Sequence, residues 1–169
     1  FVRSGGTLIT ISEASRWASR DKVGLLSTDT ELKDGRSDES TEAKKADSAG
    51  KGFDYNRALT PERARPDPIA GAILQGRLDT EHWLTAGLDA DFQVMVDGQR
   101  VFTPLKLDKG VNVGVYAAAE TLAVSGIVWK ENKDSYARKA FLIDEPLGAG
   151  HVIAFAEEPN FRAYSQASE

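Results

Sequence analysis

Cysteine is absent from this chain of 169 residues, which excludes disulfides, thiolate nucleophiles and cysteine-ligated metals while leaving the redox compartment open. Histidine is nearly as scarce, with His82 and His151 the whole supply. A zinc hydrolase site draws on two or three His or carboxylate ligands at helix or strand spacing. Neither imidazole starts a His-x-x-Glu pair, because Thr85 and Ala154 occupy the third position on. We therefore expect no metal role for them: His82 in DTEHWL reads as a loop or turn residue, and His151 as a strand residue. No apolar run approaches the roughly 20 residues of a membrane helix, and no signal-peptide pattern is present. A basic stripe is also missing. With 21 Lys+Arg against 26 Asp+Glu the net charge is −5, so a phosphate backbone has little to dock on and nucleic acid is not an expected partner.

What is present suits a single core. A domain of this length buries on the order of 70% of its unfolded surface, and no internal repeat divides it. The chain opens FVRSGG, without Met and close to a strand, and we read it as a piece of a longer protein. Thr7 to Ile11 (TLITI) follows the flexible pair Gly5-Gly6 and is β-branched and apolar, hence a short buried strand. Ser12 is placed to cap a helix in which Ala14, Trp17 and Ala18 share one face, putting the tryptophan against a sheet. From Asp29 to Gly52, seven acidic and five basic side chains surround one large aliphatic residue, Leu32. Such a stretch buries too little to offset its ordering entropy, so residues 29–65 are expected to form a mobile, charged surface insertion. Pro61, Pro66 and Pro68 then keep the chain extended on its return.

The remainder is rich in strand signals. Ile69 to Leu74 is apolar, Phe92 to Val96 alternates, and Asp97-Gly98 ahead of Arg100-Val-Phe102 is a two-residue hairpin signal. Val111, Val113 and Val115 alternate, while Leu122 to Trp129 and Ala140 to Ile143 are further candidates. His151 to Ala156 is almost wholly apolar, as a strand buried on both faces should be. The abrupt change to Glu-Glu-Pro-Asn-Phe-Arg after it reads as a strand-to-helix corner, with Glu158 at the helix start and Pro159 at the first helical position.

Motifs for chemistry are weak. Gly148-Ala149-Gly150 precedes a strand, whereas a phosphate cradle follows one, so we read a turn. Gly71 to Gly76 lacks the Lys and Ser/Thr of a phosphate loop. Ser125 in AVSGI has Ala123 and Ile127 where a nucleophile elbow wants glycines, and is read as a strand-end serine. Glu157 and Glu158, adjacent at a strand end, point to opposite sides and suit solvation and capping better than paired acid–base work.

Four segments in order, FVRSGGTLITIS, IAGAILQGRLDTEHWLTAGL, LAVSGIVW and GAGHVIAFAEEPNFRAY, resemble the C-terminal domain of a group of large bacterial zinc carboxypeptidase-family proteins. That domain is similar to class I glutamine amidotransferases. The resemblance implies an α/β fold, a flavodoxin-like three-layer sandwich with a mostly parallel central sheet, truncated on its N-terminal side. The amidotransferase nucleophile, a cysteine, has no counterpart here, nor has the carboxypeptidase zinc pair. The positions that match are structural: Gly5 and Gly6 before the first strand, Ser125 and Gly126 at a strand end, Gly150 at a turn, and Asn160, Phe161 and Arg162 at the closing corner. The implied protein is thus a zinc metallopeptidase whose zinc lies in a separate domain, periplasmic or secreted. This chain would be its noncatalytic accessory domain, without a cofactor of its own, packing on the peptidase domain, presenting substrate or mediating homo-oligomerisation; Phe161 and Arg162 are read either as its exposed contacts or, equally, as a core ring and a guanidinium bonding helix or loop carbonyls. Two other readings stay open: a hydrolase using Ser125 with His151 and an Asp, and a small-molecule or sugar-binding module built on Trp17, Trp83 and Trp129.

Overall fold

A computed structural model describes residues 1–38 and 65–160. Seven strands form one curled sheet: β1 (Thr7–Ile11), β2 (Ile69–Leu78), β3 (Asp91–Gly98), β4 (Val111–Tyr116), β5 (Ala123–Ser125), β6 (Ala140–Leu147) and β7 (Gly150–Phe155). The order is β1-β7-β6-β4-β2-β3, with β5 pairing to β2 as well. Two short helices accompany it, α1 (Glu13–Ala18) and α2 (Lys130–Tyr136).

This architecture corrects the expected flavodoxin-like sandwich. Only β1 and β7 run parallel, and every other pairing is antiparallel. The mostly parallel sheet was inferred from the resemblance and supported by the apolar run at β7. Such a run reports burial on both faces, however, and says nothing about the direction of the neighbours. The connection between β6 and β7 is decisive: Leu147 pairs with Gly150 across Gly148-Ala149, a two-residue hairpin, where a parallel crossover needs a dozen residues or more. Gly148 supplies the positive φ of +68° that this turn demands.

The core lies on and around β2, β4, β6 and β7, where Leu74, Val113, Ile143, Val152 and Ile153 are almost fully buried. Phe141 organises its centre. The ring lies so close over Gly76 of β2 and Gly114 of β4 that a Cβ at either position would come within 2.5 Å of it. The glycines are therefore a packing requirement, and Tyr116 and Phe92 close around the same ring, with centroids at 5.1 and 6.5 Å.

Several local expectations change. β1 lies where TLITI was read, but at the sheet edge, with Ile9 58% exposed. The buried face of α1 is Ser15 and Ala18, while Trp17 and Ala14 point outward. The rotation follows from the Ser15 hydroxyl, which bonds the Thr10 hydroxyl at 3.0 Å and the Phe155 carbonyl at 2.8 Å and so turns Ser15 inward. The Asp97-Gly98 hairpin does not form, because Arg100 folds back on the Asp97 carbonyl at 2.7 Å and Val101 and Phe102 descend into the core. The strand expected over Leu122 to Trp129 is confined to Ala123–Ser125. Of the charged stretch 29–65, the described residues 29–38 are held on the 101–103 segment: Glu31 N–H donates to the Val101 carbonyl, Lys139 pairs with Glu31 at 2.7 Å, and Leu32 is buried. Residues 39–64 lie outside the described residues.

Candidate functional site

Two buried polar clusters stand out, neither of which was assembled from the sequence. The first joins the two histidines. β6 and β7 pair so that Asp144 faces Ile153 and Pro146 faces His151, which places Asp144 and His151 diagonally on one face of the hairpin, within reach of long side chains. His151 Nδ1 lies 2.9 Å from Asp144 Oδ1. From the loop after β2, His82 Nε2 approaches the other oxygen, Oδ2, at 3.2 Å. Asp144 is 4% exposed in its side chain, and His151 is 43% exposed.

The hydrogen-bond partners set the tautomers of the two neutral rings. His82 Nδ1 accepts the Leu84 N–H at 3.3 Å, so the neutral ring carries its proton on Nε2 and donates it to Asp144. The neutral His151 ring likewise donates from Nδ1, which makes its Nε2 an acceptor with no partner among the described residues. The loop is firmly set: the Asp79 N–H donates to Val113, and the Thr85 hydroxyl to the carbonyls of Asp79 and His82. Beside the imidazole stands Trp83, its ring steeply inclined to that of His151 (76°, centroids 6.4 Å apart) and more than half exposed.

Asp144 accepts the two rings on different oxygens, so their nitrogens do not converge on one point. Among the described residues no group of three or more His, Cys, Asp or Glu is placed to hold a metal ion.

The second cluster sits where β7 ends. Arg100 donates to the Ala156 carbonyl at 3.0 Å and to Glu157 at 2.6 Å, and reaches Glu13 of α1 at 3.4 Å. The expectation that Glu157 is solvated is overturned, since the residue is only 5% exposed. Burial raises its carboxyl to about 7 despite the opposing pull of Arg100. Its Oε1 and the Tyr116 hydroxyl are both buried without a hydrogen-bond partner among the described residues. Burial first, and the Glu157 charge second, push the Tyr116 phenol well above its ordinary range. A cleft of about 140 Å³ opens beside the cluster, lined by Met95, Asp97, Arg100, Glu157 and Glu158.

The residues singled out in the sequence are scattered. Gly5, at φ +106°, ends a 3-10 turn, Val2–Ser4, and Gly6 lies under the Phe1 ring. Gly150 packs so tightly that a Cβ would fall 2.2 Å from the Gly6 and Val2 carbonyls. Gly126, at φ +90°, crosses over Ala72. Asn160 is exposed at the end of the described chain, its N–H donating to the Glu158 carboxylate at 3.2 Å; Phe161 and Arg162 lie outside the described residues. Ser125 is exposed at the end of β5. The register puts it at the opposite end of the sheet from His151, about ten residue levels or some 30 Å along the strand axis. The half of the serine-hydrolase reading that does assemble is His151 with an aspartate. The tryptophans are not core residues, since Trp17, Trp83 and Trp129 are each more than half exposed.

One signal for the missed Asp144 was available. A carboxylate inside the apolar run AFLIDE, followed by a glycine turn and a histidine, places both on one face once the hairpin is counted outward from Gly148-Ala149. Arg100 had no comparable signal, because its partners come from three separate segments. Comparison of the chain with protein-family models, curated proteins and solved structures finds no match.

Proposed function

We propose that this chain is a noncatalytic accessory domain that joins its sheet to a neighbouring domain, with the peptidase domain implied by the resemblance as the partner. The observation behind this reading is the outer edge of β1. An exposed strand edge is a template for pairing, and proteins that must avoid it use charge, proline or a bulge. TLITI has none of these, pairs on one side only among the described residues, and presents Ile9 to solvent. Gly6 accepts from His151 N–H, and Ser12 N–H donates to Phe155, so the alternation turns the amides of Thr7, Ile9 and Ile11 outward. A strand added there would run its own backbone along an unprotected apolar ladder. Mixing the chain with the peptidase domain in a calorimeter tests the reading: saturable binding that Ile9→Lys abolishes supports it, and no heat from a strictly monomeric chain counts against it.

A further inference from the structure

We propose that Trp83 and His151, held by the buried Asp144, form a binding site for a cationic side chain, an alkylammonium or guanidinium group of a peptide. Three observations combine. First, Asp144 spends both oxygens on imidazole N–H groups, and His82 has its second nitrogen taken by Leu84 N–H. With both rings neutral, the one of the four ring nitrogens left as an acceptor without a partner among the described residues is His151 Nε2, on a side chain that is 43% exposed. A ligand here must bring a hydrogen-bond donor. Second, Trp83 presents an exposed ring beside that acceptor. An indole face attracts cations more strongly than any other side-chain ring. Third, the loop from Asp79 to Ala90 carries Asp79, Glu81 and Asp89 and no Lys or Arg, while Asp144 adds a carboxylate beneath. A field of this sign repels phosphates and carboxylates and draws ammonium and guanidinium groups. A neutral sugar could also stack on Trp83 and donate to His151, but it gains nothing from the acidic loop.

The site is independent of the outer edge of β1, so its failure would leave the strand-pairing reading standing. The probe is Nα-acetyl-lysine methylamide, followed by the indole N–H and imidazole signals in NMR, with the uncharged norleucine analogue and cellotriose as comparisons. Expected is a saturable millimolar shift of the Trp83 and His151 signals with the lysine probe and none with norleucine. Trp83→Ala, which removes an exposed ring and leaves the core intact, should weaken that binding about five- to ten-fold, while Trp17→Ala leaves it unchanged. No shift with the lysine probe, an equal shift with norleucine, or a shift with cellotriose alone would overturn the proposal.

Discussion

Asp144 is a charged group in a place where charge is expensive, and its two imidazole donors are what make it tolerable. A buried carboxylate that accepts two N–H groups retains much of what water would have given it. Asp144→Asn keeps the volume but puts a donor against one of those rings, and should cost about 1 to 3 kcal/mol, measurable by urea unfolding. Nitrogen chemical shifts of His151 should at the same time lose the strict preference for the Nδ1-protonated tautomer. Glu157 is a second such group with the opposite balance, because burial outweighs the pull of Arg100 and the carboxyl sits near 7. Its folded value lies above the ordinary 4.5, so the folded state holds the proton more tightly than the unfolded one. The resulting stability is complete below about pH 4.5 and declines as the pH rises through 7. Glu157→Gln should flatten that decline; denaturation midpoints between pH 5 and about 8 that fall as steeply in the variant as in the parent would place its cause elsewhere.

At the level of elements, the hairpin β6–β7 and the 3-10 turn before β1 are locked through Gly150. Gly150→Ala would drive a methyl into two carbonyl oxygens of the backbone, that of Val2, which accepts from Gly5 N–H in the 3-10 turn, and that of Gly6, which accepts from His151 N–H. The expected loss is about 3 kcal/mol or more. Gly87→Ala is the useful contrast. It also has a positive φ, but nothing lies within 4 Å of the added carbon, so the loss should be close to 1 kcal/mol, from backbone strain alone. The elements were largely legible in the sequence, since β-branched and alternating runs mark β1, β2, β3, β4, β6 and β7 with small errors in their ends. What was not legible was direction and edge. The composition of TLITI says strand, and only the pairing shows that one of its sides has no partner among the described residues. Trp17 was misplaced for a related reason: helical spacing defines a face, but the hydroxyl of Ser15 chose which face turned inward.

For the molecule as a whole, the fold departs from the expected sandwich through its connections. The two-residue link between β6 and β7 enforces antiparallel pairing there, and the two helices among the described residues are too short to cover both faces of a sheet. Contacts between distant segments also explain why the two polar clusters were invisible in the sequence. His82 and His151 are far apart along the chain, and a site built from one loop and one hairpin leaves no local spacing to read. On this scale the proposed role rests on β1 as an open edge. Hydrogen exchange on the chain, alone and with the peptidase domain proposed as its partner, tests this most directly. The account predicts fast exchange at the amides of Thr7, Ile9 and Ile11 in the isolated chain and marked protection of those three on mixing; unchanged exchange at all three in a saturated mixture would contradict it.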